Sequence, residues 1–253
     1  MMKQVLPLAV FAFVALGGGS QAFAQALPWE GRGFLNVNFG LQPIAEATAT
    51  TSESFSLYDE TGTVSKTSAF DEQATFLDFG AGFRIVGNLG VGFTYTRVSA
   101  TGTADVETRV PSPIYYDQLR TATASLDGLG HTENGYHFHV LWMLPVSDRV
   151  DFVLSGGPSW YSLTQGVVGP PHITEVGPPY TSVNVTVSES TATGGEFGFN
   201  VGVDLTFRFA NNFGIGGMAR YTAATVALTP EGSDAYDVKV GGFQFGGGLR
   251  IRF

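Results

Sequence analysis

The chain has no cysteine among its 253 residues. That excludes a disulfide framework, a thiolate nucleophile and any thiolate metal site. Charge is scarce as well: Asp, Glu, Lys and Arg make up 14% of the chain, against about a quarter in ordinary domains. Lysine occurs only at Lys3, Lys66 and Lys239. With a formal net charge of -9, the chain lacks the basic footprint that nucleic-acid binding needs. Long apolar runs are missing too. Beyond the first 24 residues no stretch approaches the ~20 apolar residues of a transmembrane helix, so a membrane role would have to be carried by strands.

The first 24 residues read as an export leader. Lys3 supplies the positive start, Val5 to Leu16 the apolar core, and Ala22-Phe23-Ala24 a small-x-small cleavage site, with Ala24-Gln25-Ala26 as a second. Residues 25–253 are then expected to form one domain.

What the chain has in quantity is alternation. Leu77, Phe79, Ala81, Phe83 and Ile85 interleave with Asp78, Gly80, Gly82 and Arg84. Phe197 to Phe209 is apolar at every odd position, while the even positions carry Glu196, Gly198, Asn200, Gly202, Asp204, Thr206 and Arg208. The same period of two runs through 35–41, 89–96, 137–144, 150–155, 213–221 and 243–253, giving eight strands. Three connections are very short, at Gly87–Asn88, Val146–Ser147 and Asn211–Asn212. The four between them, Gln42–Glu72, Ser99–Thr132, Leu163–Thr193 and Ala227–Asp237, read as long polar loops. Strict alternation of short and long connections makes neighbouring strands antiparallel. An even count lets the first and last strands pair and close a barrel. The first long loop is expected to hold a hairpin turning at Asp59-Glu60-Thr61-Gly62.

The polar face carries glycines together with acids and arginines of both signs, as a narrow bore would. The predicted lumen network is Asp78, Arg84, Asp151, Glu196, Asp204, Arg208, Arg220 and Arg250, with Arg84, Arg208 and Arg220 set against Asp78, Glu196 and Asp204. Trp142, Phe209, Phe213 and Phe253 fall near the short turns, and Tyr95, Tyr136 and Tyr221 near the loops, in the manner of two interfacial girdles. The fold expected is an all-β, eight-stranded antiparallel up-and-down transmembrane barrel.

A leader, eight strands, short turns, long loops and a terminal Phe253 resemble the small bacterial outer-membrane β-barrels of the OmpA/OmpX type. The resemblance covers nearly all of residues 25–253. It implies a C-terminal insertion signal, matched by Gly248, Ile251 and Phe253, with Gly246 where a polar residue is usual. It further implies a monomer in the cell outer membrane of a Gram-negative-type bacterium, reached through the periplasm. Barrel assembly machinery would insert it, and lipids and lipopolysaccharide would surround it. The role expected is structural or surface-interacting and non-catalytic, with no cofactor. The alternatives are a small porin-like channel and a barrel enzyme acting on lipid A, phospholipid or peptides.

Three local patterns are weighed against ordinary packing. His137-x-His139 puts two imidazoles on one strand face, with Asp151 as a conceivable third metal ligand; polar lumen packing is the plainer reading. Ser125, His131 and Glu133 would be the residues of a hydrolase, though no motif pairs them. Tyr115-Tyr116, just after Pro111 and Pro113, would either dock a partner or pack over the barrel mouth, and packing is the plainer reading.

Overall fold

The structure, a computed structural model, describes residues 31–44, 48–230 and 235–253. The expected leader and both cleavage sites lie outside the described residues. Among the described residues there are twelve strands: β1 (Gly33–Pro43), β2 (Thr48–Leu57), β3 (Glu60–Phe70), β4 (Gln73–Val86), β5 (Leu89–Pro111), β6 (Leu119–Ser147), β7 (Val150–Val168), β8 (His172–Val176), β9 (Ser182–Thr186), β10 (Glu189–Arg208), β11 (Phe213–Leu228) and β12 (Tyr236–Arg252). Eight of them form a closed antiparallel ring in the order β1-β4-β5-β6-β7-β10-β11-β12, shut by pairing of β12 with β1. The expected fold class is the one observed.

The side chains face as the alternation requires. Phe199 is 52% exposed while Asn200, its neighbour, is 3% exposed. Phe197, Val201, Val203, Leu205 and Phe207 also point outward, as do Leu35, Val37, Phe39 and Leu41 on β1. From Phe243 to Phe253 the outward row spans ten residue steps. That is about 34 Å along the strand and, at the ~45° tilt of such barrels, about 24 Å of height, the thickness of an outer-membrane apolar band. A cross-strand line of Phe79, Tyr95, Tyr136, Trp160 and Phe197 crosses the outer face obliquely, climbing toward the long connections. Trp160 and Phe197 meet edge to face, with centroids 4.6 Å apart.

The long connections differ from expectation. Strand β5 continues to Pro111 and β6 begins at Leu119, so only 112–118 is left of the predicted loop 99–132. Strands β7 and β10 likewise run to Val168 and from Glu189. On β5 the outward row changes at Arg97 from apolar to polar. The inward row changes at Val98 from polar to apolar, continuing through Ala104, Val106 and Val110. Below that level the wall faces lipid and the bore is ionic. Above it the wall faces water and the interior becomes an ordinary hydrophobic core, with Tyr161, Leu163, Val226, Leu228 and Val240 in one cluster and Val64, Phe70, Val106 and Leu129 in another. A bulge at Gly102/Thr103, with Gly128 at φ +80, resets which residues of β6 point inward.

The hairpin predicted in the first long connection exists as β2–β3. It turns two residues earlier than expected, at Tyr58 and Asp59, both in the left-handed region (φ 56 and 59). A two-residue turn with both φ positive matches the twist of the flanking strands. Strand β3 pairs with β5 and extends the ring's wall sideways. Strands β8 and β9 form a separate hairpin.

The closing seam is crowded. A Cβ at Gly248 would lie 1.8 Å from the Val37 carbonyl oxygen, so backbone would have to move. Gly248→Ala is expected to destabilise the barrel by about 1–3 kcal/mol, as overpacking does. Urea unfolding in lipid vesicles and loss of heat-modifiable migration on gels are the measurements.

Candidate functional site: the bore and the knotted rim

The inward residues of the belt make one continuous hydrogen-bonded column. Arg250 forms an ion pair with Asp204 through both its Nε and Nη2, and its Nη1 donates to Asn38 Oδ1 at 2.6 Å. Asn38 Nδ2 donates to Asp78 Oδ1 (2.8 Å). The second Asp78 oxygen accepts from Thr96 Oγ1 (2.8 Å) and Arg220 Nη2 (2.7 Å). Arg220 Nε donates to Gln244 Oε1 (2.7 Å), and Gln244 Nε2 to Gln42 Oε1 (2.6 Å). Gln42 Nε2 donates to Glu133 Oε2 (3.0 Å), whose other oxygen is 3.0 Å from His131 Nε2. His131 Nδ1 is hydrogen-bonded with Gln165 (3.2 Å). These residues come from all eight strands of the ring. At the short-turn end Asp151 lies between Arg252 (2.7 Å) and Arg208 (3.2 Å).

Local sequence explains why the column fits. Glycine leaves room beside the long side chains: a Cβ at Gly216 would be 2.8 Å from Arg250 Nε. At Gly241, φ +87 turns the amide inward to donate to Glu133 at 3.0 Å. Below the column Phe34, Leu141, Met143 and Val153 form an apolar floor. The space left in the lower bore is a cavity of about 70 Å³, bordered by Thr94, His139, Arg220 and Arg250. That is room for a few waters.

The predicted network is met unevenly. Asp78, Asp151, Asp204, Arg208, Arg220 and Arg250 are drawn into ion pairs, but Arg208 pairs with Asp151 rather than with Glu196 or Asp204. Arg84 is half-buried at the short-turn end of β4, where its amide donates to the Arg32 carbonyl. Glu196 is exposed. The β10–β11 ladder begins only at Phe199–Ala223, so Glu196 stands above it, and its carboxylate accepts from the Phe197 amide (2.9 Å). Asn38, Gln42, Thr96, Gln165 and Gln244 stand in no local motif, although the period of two through 35–41, 89–96 and 243–253 sets Asn38, Thr96 and Gln244 on the face opposite Val37, Tyr95 and Phe243. Gly248 and Ile251 lie in the β12 seam, and Phe253 beside Gly33.

His137 is hydrogen-bonded with Ser159 (2.8 Å) and His139 with Thr94 (3.0 Å), while Asp151 is held by arginines. Among the described residues no group of three His, Asp or Glu side chains could hold a metal. His131 and Glu133 touch, but Ser125 is exposed on the far side of the Gly128 bulge, so the structure does not bring the three together. Tyr115 and Tyr116 do not pack over the mouth: they are exposed on the 112–118 turn, which stands beyond the ring at the end of β5 and β6.

A second ordered cluster lies at that end. Arg120 forms a bidentate ion pair with Glu175 and donates to the Pro111 and Tyr180 carbonyls (2.6 and 3.1 Å). Tyr58 Oη donates to Glu175 (3.1 Å), and the Asp117 amide donates to Glu60 (3.0 Å). The β2–β3 hairpin, the 112–118 turn and the β8–β9 hairpin are thereby tied together. Hydrogen bonds from Arg120 hold the Glu175 carboxyl below its usual range, and the same partnership raises Arg120.

No family model matches the chain, and no curated protein matches it. Among solved structures it is similar to the outer membrane protein OprG from Pseudomonas aeruginosa, at 8% identity and TM-score 0.49, over 88% of this chain and 96% of that one. Neisserial surface protein A is similar at 12% identity and TM-score 0.40 over 87% and 97%. Ail, the attachment invasion locus protein of Yersinia pestis, is similar at 12% and 0.36 over 87% and 99%.

Two predictions follow from these contacts. Arg220→Met leaves Asp78 buried without its cation and should destabilise the barrel by about 3–5 kcal/mol. Adding Asp78→Asn should restore part of that loss, read as coupling in a double-mutant unfolding cycle. For the rim, a depressed carboxyl pKa stabilises above the unfolded Glu value, and the effect is lost as pH falls through the folded one. Acidification below the carboxylate range should therefore free the β8–β9 hairpin. Amide protection factors over residues 172–186, taken against the intrinsic rate at each pH, should fall at low pH, and Glu175→Gln should show that fall already at neutral pH. In its closed ring of strands, apolar skin and ionic bore, the molecule is built as a membrane-spanning β-barrel.

Proposed function

We propose that the protein is a non-catalytic outer-membrane barrel whose bore is a structural plug and whose working surface is the knotted end. The observation that carries this reading is the polar column joining all eight ring strands, with a cavity of about 70 Å³ beside it in the lower bore. A bore of eight strands has space for side chains and little water, and here the side chains hold one another. Barrels of this kind place short turns in the periplasm and long connections outside. That orientation sets the three short turns inward and the β2–β3, 112–118 and β8–β9 segments outward. Lipid and lipopolysaccharide then meet the apolar belt. Gly248, Ile251 and Phe253 serve as the signal read by the assembly machinery, and the barrel works as a monomer.

Planar-bilayer recording tests the plug. The unaltered protein is expected to give no large, steady currents, since apolar side chains close the interior above and below the column. Steady single-channel currents from the unaltered protein would favour a small channel and sink this reading.

A further inference from the structure

The knotted end carries an exposed aromatic patch, and its surroundings select a partner. Tyr58, Ile114, Tyr115, Tyr116, Val176 and Tyr180 come from three segments far apart in sequence, and all are exposed, Tyr116 by 84%. The Arg120–Glu175 pair fixes these segments to one another. Clustered apolar side chains left in water mark interaction surfaces. Lipid of the protein's own membrane does not cover this one. Between the belt and the patch, the outward row of β5 is polar from Arg97 to Arg109, about 40 Å along the strand.

Charge decides what fits. Residues 57–62, 107–120 and 172–182 hold five carboxylates, Asp59, Glu60, Glu107, Asp117 and Glu175, against two guanidiniums. Both guanidiniums are engaged: Arg109 by Glu107 at 3.0 Å, and Arg120 by Glu175. Among the described residues no ion pair engages Asp59, Glu60 or Asp117. Tyrosine faces attract ammonium and guanidinium groups, and carboxylates beside them that no cation holds add charge-assisted hydrogen bonds. A phosphorylated or sulfated surface would be repelled by the same carboxylates.

We propose that this patch docks a basic segment of another protein, with Lys and Arg side chains laid on the tyrosine rings and answered by Asp59, Glu60 and Asp117. The proposal rests on the reading that this end faces outward. It differs from plain attraction to an acidic protein because the rings, which carry no charge, are required.

The test uses the full chain in phosphatidylcholine nanodiscs, with a fluorescent alternating Lys-Arg decapeptide as probe and anisotropy as readout. Tyr115→Ser/Tyr116→Ser, which leaves net charge unchanged, should weaken binding about tenfold or more, as should Asp59→Asn/Glu60→Gln/Asp117→Asn. Asp127→Asn/Glu189→Gln/Asp237→Asn makes the same charge change elsewhere on the rim and should bind as the parent does. The proposal is overturned if that control weakens binding as much as the tip triple, if the tyrosine variant binds like the parent, or if a heparin oligosaccharide is bound in preference to the peptide. Heat-modifiable migration checks that each variant folds. Protease clipping at 114–118 on intact cells reports separately on which way this end faces. An unclipped loop there would remove the outward reading, whereas the nanodisc result alone decides the docking.

Discussion

Lipid offers no hydrogen-bond partner to a peptide group, and that constraint orders the rest of this structure. Each strand in the belt must be paired on both sides, so the ring has to close, with Phe34 opposite Arg252 and Leu41 opposite Phe245. Closing eight strands fixes a narrow bore, and a narrow bore forces the composition of the inward row. Where a long side chain crosses, its neighbours shrink to glycine, as Gly216 does beside Arg250. The chain's wealth of glycine and poverty of lysine are two consequences of one geometry. Compact guanidinium–carboxylate forks fit such a bore better than flexible ammonium groups that need water.

The same strands leave the bilayer without ending, and their two faces exchange character as they do. On β5, Leu89 to Tyr95 face lipid opposite Gly92, Thr94 and Thr96. A few residues further, Val98, Ala104 and Val106 fill the interior opposite Thr103, Asp105 and Glu107. Once the outside is water, lipid no longer covers an apolar exterior. Stability must then come from apolar residues packed within. Above the membrane barrel several of the strands go on as a water-facing wall around an apolar core. The Arg120–Glu175 knot gathers the hairpins that crown that wall.

Much of this could be read from the sequence, and the misses have physical causes. The eight belt strands were legible because lipid outside and ions inside give the strongest possible alternation, as in Phe197 to Phe209. The extensions of β5 and β6 were taken for loops because water outside permits Ser, Thr and Asp, so "VSATGTADVETRV" reads as polar although Val98, Ala104 and Val106 keep the period. Which charges pair was not legible: it depends on strand stagger, which brings Arg208 to Asp151 across the β7–β10 ladder and leaves Glu196 above the β10–β11 ladder. The Arg120–Glu175 pair joins positions 55 residues apart, and neither partner carries a local motif. Tyr115 and Tyr116 were expected to pack. The turn that holds them stands beyond the end of the ring, where nothing lies to pack against.

The ionic column has a further consequence for how one register is chosen. Buried ion pairs contribute little net stability over an apolar filling of the same volume. A bore lined with Leu and Val would hold together, but its strands would be apolar on both faces. A slip of one residue would then exchange inside for outside almost without penalty. With Asp78, Asp204, Arg220 and Arg250 on the inward row, the same slip drives charges into hydrocarbon, at about 2–4 kcal/mol for each arginine near mid-bilayer. It also turns the outward aromatic residues into the bore. The column therefore acts chiefly against misregistered barrels. Its plugging of the bore follows from the same eight-strand geometry that makes the column necessary.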